Sequence, residues 1–173
     1  SDLMLKYCGV DIPRNAHWPA DMHGELVSGG FFENCIYRHK LQDDKANPSG
    51  YEAVRQPDLL KSSSVSFRPV DVKFGPEGAL YISDWFDPII GHYQASFRHP
   101  DRDKKHGRIW RVVRKGAELV KMPDLARQTT RELCQVYALH YWDGGIVDRW
   151  QRYQIQRLLM GRPKGEVLKT IDE

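Results

Sequence analysis

The sequence predicts a mainly β chain with an α tail: closing blades of a β-propeller over residues 1–121, then the start of a HEAT-like helical repeat over residues 122–173. Three observations predict this. Short runs with period-two alternation are separated by Gly- and Pro-containing turns. The order of those runs occurs twice, which is the mark of a repeat architecture. From Met122 onward the apolar spacing changes to that of helices.

Taken in order, Gly24–Gly30 reads as a short strand that ends in glycines. In residues 34–41, Cys35, Tyr37, His39 and Leu41 alternate with more polar positions, as in a half-buried strand. A polar loop with Asn-Pro and Ser-Gly turn signals leads to a strand at Tyr51–Arg55. The second unit repeats the order. Residues 79–85 echo the first strand, residues 107–113 echo the second, and Ala117–Val120 echoes Glu52–Val54. Ahead of them, Val70, Val72 and Phe74 point one way and Asp71 and Lys73 the other. Gly75-Pro76-Glu77-Gly78 supplies a hairpin turn with Glu77 in it.

Residues 70–74, 79–85, 107–113 and 117–120 are thus expected to form one four-stranded blade. The first unit shows three strands, and its innermost strand is sought in residues 2–8. Two blades cannot close a ring, since propellers have about four to eight. The rest of the parent polypeptide, or other chains, is expected to complete it. An ordinary open sandwich built from the same strands is the competing arrangement.

In the tail, Thr129-Thr130-Arg131-Glu132 fits a capping box with Thr129 as N-cap. Leu133, Val136, Tyr137 and His140 follow at helical spacing, and Gly144-Gly145 would end that helix. Asp148 can cap a second helix through Met160, with Trp150, Ile155, Leu158 and Leu159 on its apolar face. Gly161 and Pro163 read as its stop. Two antiparallel helices are the unit of a solenoid.

Composition narrows the function classes. Hydrophobic residues are 40%, charged residues 28% and aromatic residues 11%, a globular composition rich in rings. The net charge of +3 is small and the basic residues are interleaved with acidic ones, which argues against nucleic acid as a partner. No apolar run is long enough for a transmembrane segment, and no signal-peptide pattern opens the chain. Cys8, Cys35 and Cys134 are widely spaced, with no C-x-x-C, and read as small buried side chains rather than a disulfide framework.

The string from Phe67 to Trp85, continued by Asp87-Pro88-Ile89-Ile90-Gly91-His92-Tyr93 and by Arg102-Asp103 with His106–Val112, resembles the membrane-bound dehydrogenases of planctomycete-type bacteria. Members of that family carry a propeller similar to glucose/sorbosone dehydrogenases, then HEAT-like repeats, and often a c-type haem domain. The resemblance implies a fragment of a sugar or alcohol dehydrogenase that passes electrons to a haem elsewhere in the parent protein. It implies a sugar or polyol substrate, and a periplasmic or extracytoplasmic location with any membrane association made by parts outside this chain. The C-x-x-C-H motif of c-type haem is absent here.

Candidate chemistry concentrates in the loop 86–106, longer than the roughly 12–15 residues that structureless loops usually reach. Strand direction places Arg68, before one strand, on the same edge as the segment 85–92, after the next. A guanidinium there suits an anion or a quinone carboxylate; pairing with Asp71 or Asp84 is the structural alternative. Quinone-dependent sugar dehydrogenases, by resemblance, have an Arg before the matching strand and a Gly-Pro whose carbonyls help bind calcium. The corresponding dipeptide here is Asp87-Pro88. Arg68, Asp87 and Pro88 are therefore the candidate cofactor-binding residues for pyrroloquinoline quinone and calcium, with Asp87 as the metal ligand. The acidic residues expected next are replaced by Ile89-Ile90-Gly91-His92.

His92 is the candidate general base, because its ordinary pKa suits proton abstraction near neutrality. His92, His99 and His106, with Asp84, Asp87, Asp101 and Asp103, could also converge on a cation. A loop pinned by salt bridges with Arg98, Arg102 and Arg108 is the alternative. Trp85, Trp110 and Tyr81 read as packing residues rather than a substrate platform. The competing function is a non-catalytic propeller-solenoid binding scaffold.

Overall fold

The computed structural model describes residues 6–90, 95–142 and 149–172. Among these residues, seven strands form two open antiparallel sheets. The first contains β1 (Tyr7–Asp11), β2 (Leu26–Gly30), β3 (Cys35–Asp43) and β4 (Tyr51–Lys61), paired in that order. The second contains β5 (Pro69–Phe74), β6 (Leu80–Asp84) and β7 (Arg108–Val112), again in sequence order. The helices α1 (Thr130–Trp142), α2 (Arg149–Met160) and α3 (Lys164–Asp172) follow.

This corrects the expected fold class. Neither sheet closes, and the second has three strands where a blade of four was expected, so these are not propeller blades. Three short helices stand where a HEAT-like solenoid was expected. The sheets meet through β1 and β5, an edge strand of each, with β2 also reaching β5. Asp11 Oδ2 accepts a 2.9 Å hydrogen bond from the Phe74 amide across this seam. The approach is close: a Cβ on Gly29 would lie 2.8 Å from the carbonyl oxygens of both Cys8 and Pro69, so only glycine fits there. Val27, Ile36, Val72, Leu80 and Ile82 form the shared core, each essentially without solvent contact.

The missing fourth strand has a tertiary cause. Ala117–Val120 has strand-like composition, yet it is held across the β5–β6 turn instead of alongside β7. His17, fully buried, accepts the Arg114 amide on Nε2 at 2.9 Å, and its Nδ1 lies 2.9 Å from Glu118 O. The Val120 amide donates to Glu77 O at 2.9 Å. With Nε2 accepting, the ring proton resides on Nδ1 and donates to Glu118. A first strand is expected in residues 2–8; β1 runs Tyr7–Asp11 and shares only Tyr7 and Cys8 with that range, of which residues 2–5 lie outside the described residues. Glu77 does sit in the β5–β6 hairpin turn, where the Gly78 amide bonds to Gly75 O.

The helical tail starts as its sequence suggests. Thr129 N–H donates to Glu132 Oε2 at 2.7 Å, and the Glu132 amide donates back to Thr129 Oγ1 at 3.3 Å, a reciprocal capping box. Leu133 and Ile155 pack with Leu125 in a second, separate core, flanked by Val136 and Leu158. Gly144, Gly145 and Asp148 lie outside the described residues. The second helix stops at Met160, just before Gly161 and Pro163, as expected, and Pro163 has a further role. It opens α3, with the Glu166 and Val167 amides donating to its carbonyl, because proline is tolerated where a helix begins. Among the described residues no helix is long and apolar enough to cross a membrane.

Candidate functional site

The site lies at the edge where β5 begins and β6 ends. Antiparallel pairing sets Pro69 opposite Asp84, and the Trp85 amide donates to Arg68 O at 2.9 Å. Asp84, whose side chain is fully buried, organises this edge. Its Oδ1 accepts the amides of Arg68 at 2.8 Å and Phe86 at 2.9 Å. Its Oδ2 accepts Arg108 Nε at 2.8 Å and Trp110 Nε1 at 2.9 Å. The bond to Phe86 holds that residue in the left-handed region, at φ 56°, and turns the chain sharply out of β6.

Arg68 is buried, and its guanidinium meets carbonyl oxygens rather than a carboxylate. Nε donates to Asp87 O at 3.0 Å, Nη2 to Pro88 O at 3.5 Å, and Nη1 to Phe31 O and Phe32 O at 3.2 and 3.3 Å. Burial is the largest influence on this group and lowers its pKa from the ordinary arginine value, against the opposing pull of Asp87 and Asp84. Asp87 is buried as well. Its Oδ1 accepts the Ile89 amide at 2.9 Å, and its Oδ2 accepts Arg102 Nη1 at 2.8 Å. Arg102 in turn donates to the carbonyls of Ser96, Ile89 and Ala95. Two buried arginines thus stitch the loop after β6 to itself and to the β2–β3 turn.

The sequence-predicted residues Arg68, Asp87 and Pro88 are brought together. His92 lies outside the described residues. His99 and His106 are not drawn to the cluster: His99 Nδ1 accepts the Asp101 amide at 3.2 Å, and His106 Nδ1 lies 2.7 Å from Asp103 Oδ2. Among the described residues no group of three His, Cys, Asp or Glu side chains is placed to hold a metal. The residues around Asp87 do not fit calcium. The ion needs about six to eight oxygen ligands, whereas both Asp87 carboxylate oxygens are already hydrogen-bonded. The Asp87 and Pro88 carbonyls, the oxygens implied for calcium, face the cationic Arg68. Nor does the guanidinium fork have a free pair of donors for a quinone carboxylate, since Nε, Nη1 and Nη2 are all engaged.

Beside this cluster is a groove of about 840 Å³. Phe31 and Trp85 stack within it, with ring centroids 5.9 Å apart and planes 17° from parallel. Phe32 adjoins Phe31 edge-on, and Lys6 lies over the Phe32 ring at 5.1 Å. Phe97, which is 84% exposed, and Ser96 and Arg98 line the opposite side. Arg68 positions both halves of the shelf, because it holds the backbone of Phe31 and Phe32 on one side and of Asp87 and Pro88 on the other.

Trp85 reads as packing in the sequence, and Phe31, Phe32 and Phe97 carry no assignment there, whereas the salt-bridged loop named as the alternative is what Arg102–Asp87 and Arg108–Asp84 form. A signal for Phe31 and Phe32 was present: adjacent phenylalanines just after Gly29-Gly30 fall on a turn, where core rings are not expected.

No curated protein and no solved structure matches the chain. Residues 4–116, which take in both sheets and the groove, match the family described as a domain of unknown function, DUF7133, and the chain belongs to that family.

Proposed function

We propose that this domain is a non-catalytic binding module for a sugar or polyol, with the ligand's C–H face laid on the Phe31–Trp85 shelf. The observation that carries the proposal is the division of labour at the site. Every polar group a catalytic reading would use among the described residues, Arg68, Asp84 and Asp87, is engaged by protein partners. The open surface next to them is aromatic. Flat rings suit the apolar face of a pyranose, and polar residues among the groove lining, Ser96 and Arg98, suit its hydroxyls. The buried arginine–carbonyl cluster keeps the shelf rigid, so little ordering free energy is lost on binding.

The test is a fluorescence titration of the chain with D-glucose and with sorbitol, repeated on Trp85→Ala. Saturable binding should weaken at least tenfold in the variant, about 1.4 kcal/mol, with the melting temperature unchanged. Equal binding by the variant would sink the proposal. Oxidation of either compound with an artificial electron acceptor, under added quinone and calcium, would favour the dehydrogenase that the sequence resemblance implies.

A further inference from the structure

We infer that the outer edge of β7 is a strand-addition site for an extended acidic segment of a partner polypeptide. β7 ends the second sheet, and β6 is its only strand neighbour among the described residues. No backbone–backbone hydrogen bond from any other described strand or loop reaches residues 108–113. The chain's own next segment is diverted by His17 and Glu77, so it leaves this edge uncovered. An unpaired row of N–H and C=O groups is a template for another strand.

The side chains indicate which strand fits. Ile109 and Arg111 share one face of β7 by alternation, and Val113 follows directly after its last residue. Ile109 is 78% exposed and Val113 45% exposed, and both are apolar surface that an incoming strand would cover. Arg111 lies between them, bonded to Glu77 and Tyr81 within the sheet. From Lys104 to Ala117 there is no acidic residue, while Lys104, Lys105, Arg108, Arg111, Arg114 and Lys115 are basic. Arg114 and Lys115 are exposed. A second copy pairing β7 against β7 would bring two basic segments together, which is unfavourable. A strand that alternates apolar and acidic residues meets both features, apolar against Ile109 and Val113 and acidic against the basic side chains.

The experiment is an amide-resolved NMR titration of the 173-residue chain with acetyl-(Val-Glu)4-amide. The lysine counterpart, acetyl-(Val-Lys)4-amide, is titrated alongside. The acidic peptide should shift amides confined to 108–115 and bind at least tenfold tighter than the basic one. Raising the salt should weaken it several-fold. The double variant Arg114→Glu, Lys115→Glu should lose the preference while keeping the wild-type melting temperature. No shift in 108–115, equal binding of both peptides, or shifts that grow with protein concentration alone would each overturn the inference. The last outcome would assign the edge to a second copy. None of these results depends on the sugar-binding proposal, because the groove and β7's outer edge carry different residues.

Discussion

Replacing Arg68 with methionine is expected to destabilise the chain by at least about 3 kcal/mol, as measured by urea unfolding. Methionine has comparable length and is apolar, so the change isolates the hydrogen bonds. Four backbone carbonyls, those of Phe31, Phe32, Asp87 and Pro88, lose their guanidinium donor at once. Each buried unsatisfied acceptor costs roughly 1–3 kcal/mol, less wherever water can enter. Arg68→Lys should cost less than methionine but more than nothing, because a single ammonium cannot span carbonyls from two separate segments. A change below about 1 kcal/mol for methionine would mean that the cluster does not hold the edge together.

The second large effect is expected in the tail. Ile155→Asp places a carboxylate in the apolar core that Ile155 forms with Leu125 and Leu133, with Leu158 packed against it. The expected cost is about 3–5 kcal/mol, read as lost helical signal on melting by circular dichroism. Leu158 is only partly buried, so Leu158→Asp should cost less. Among the described residues the helical core shares no member with the sheet core, so near-ultraviolet signals from Trp18 and Trp110 should persist where the helical signal has gone. Simultaneous loss of both signals would show that the tail and the sheets fold as one unit.

Much of the β region was legible because alternation reports burial directly. Val72, Leu80 and Ile82 face the core, whereas Val70, expected on the same face as Val72, is exposed, because a register shift between Pro69 and Asp71 breaks the alternation. The proximity of Arg68 to the segment after Trp85 was legible too, since it depends only on strand direction. Three things were not. Ala117–Val120 has a strand's composition, and nothing local reveals that a histidine about a hundred residues earlier would hold it elsewhere. Gly161 and Pro163 do mark the end of α2, but that α3 opens straight after them was not visible, since a proline serves equally well to begin a helix. The partners of Arg68 were hidden for a different reason: backbone carbonyls carry no signature in the sequence, so side-chain carboxylates, Asp71 and Asp84, were the only partners visible in advance. Asp84 does contact Arg68, through its backbone amide rather than its guanidinium.

The propeller expectation failed through an extrapolation from repetition. Two similar runs of strands establish two similar sheets. They do not establish a fourth strand in the second sheet, and they do not close a ring. The same limit applied to the site. An arginine beside Asp87-Pro88 matched the layout of a calcium and quinone site, while the carbonyls that would serve the ion are turned toward the arginine itself.

One titration separates the aromatic shelf from the polar cluster most directly. In a chain labelled at tryptophan indole and arginine Nε nitrogens, D-glucose is added and both sets of NMR signals are followed. The Trp85 indole signal should move saturably while the Arg68 Nε signal stays in place, because the ligand lies on the rings and the guanidinium remains bound to its four carbonyls. A shift of Arg68 with Trp85 unmoved, or no shift at either residue, would contradict the assignment of binding to the shelf and of Arg68 to its support.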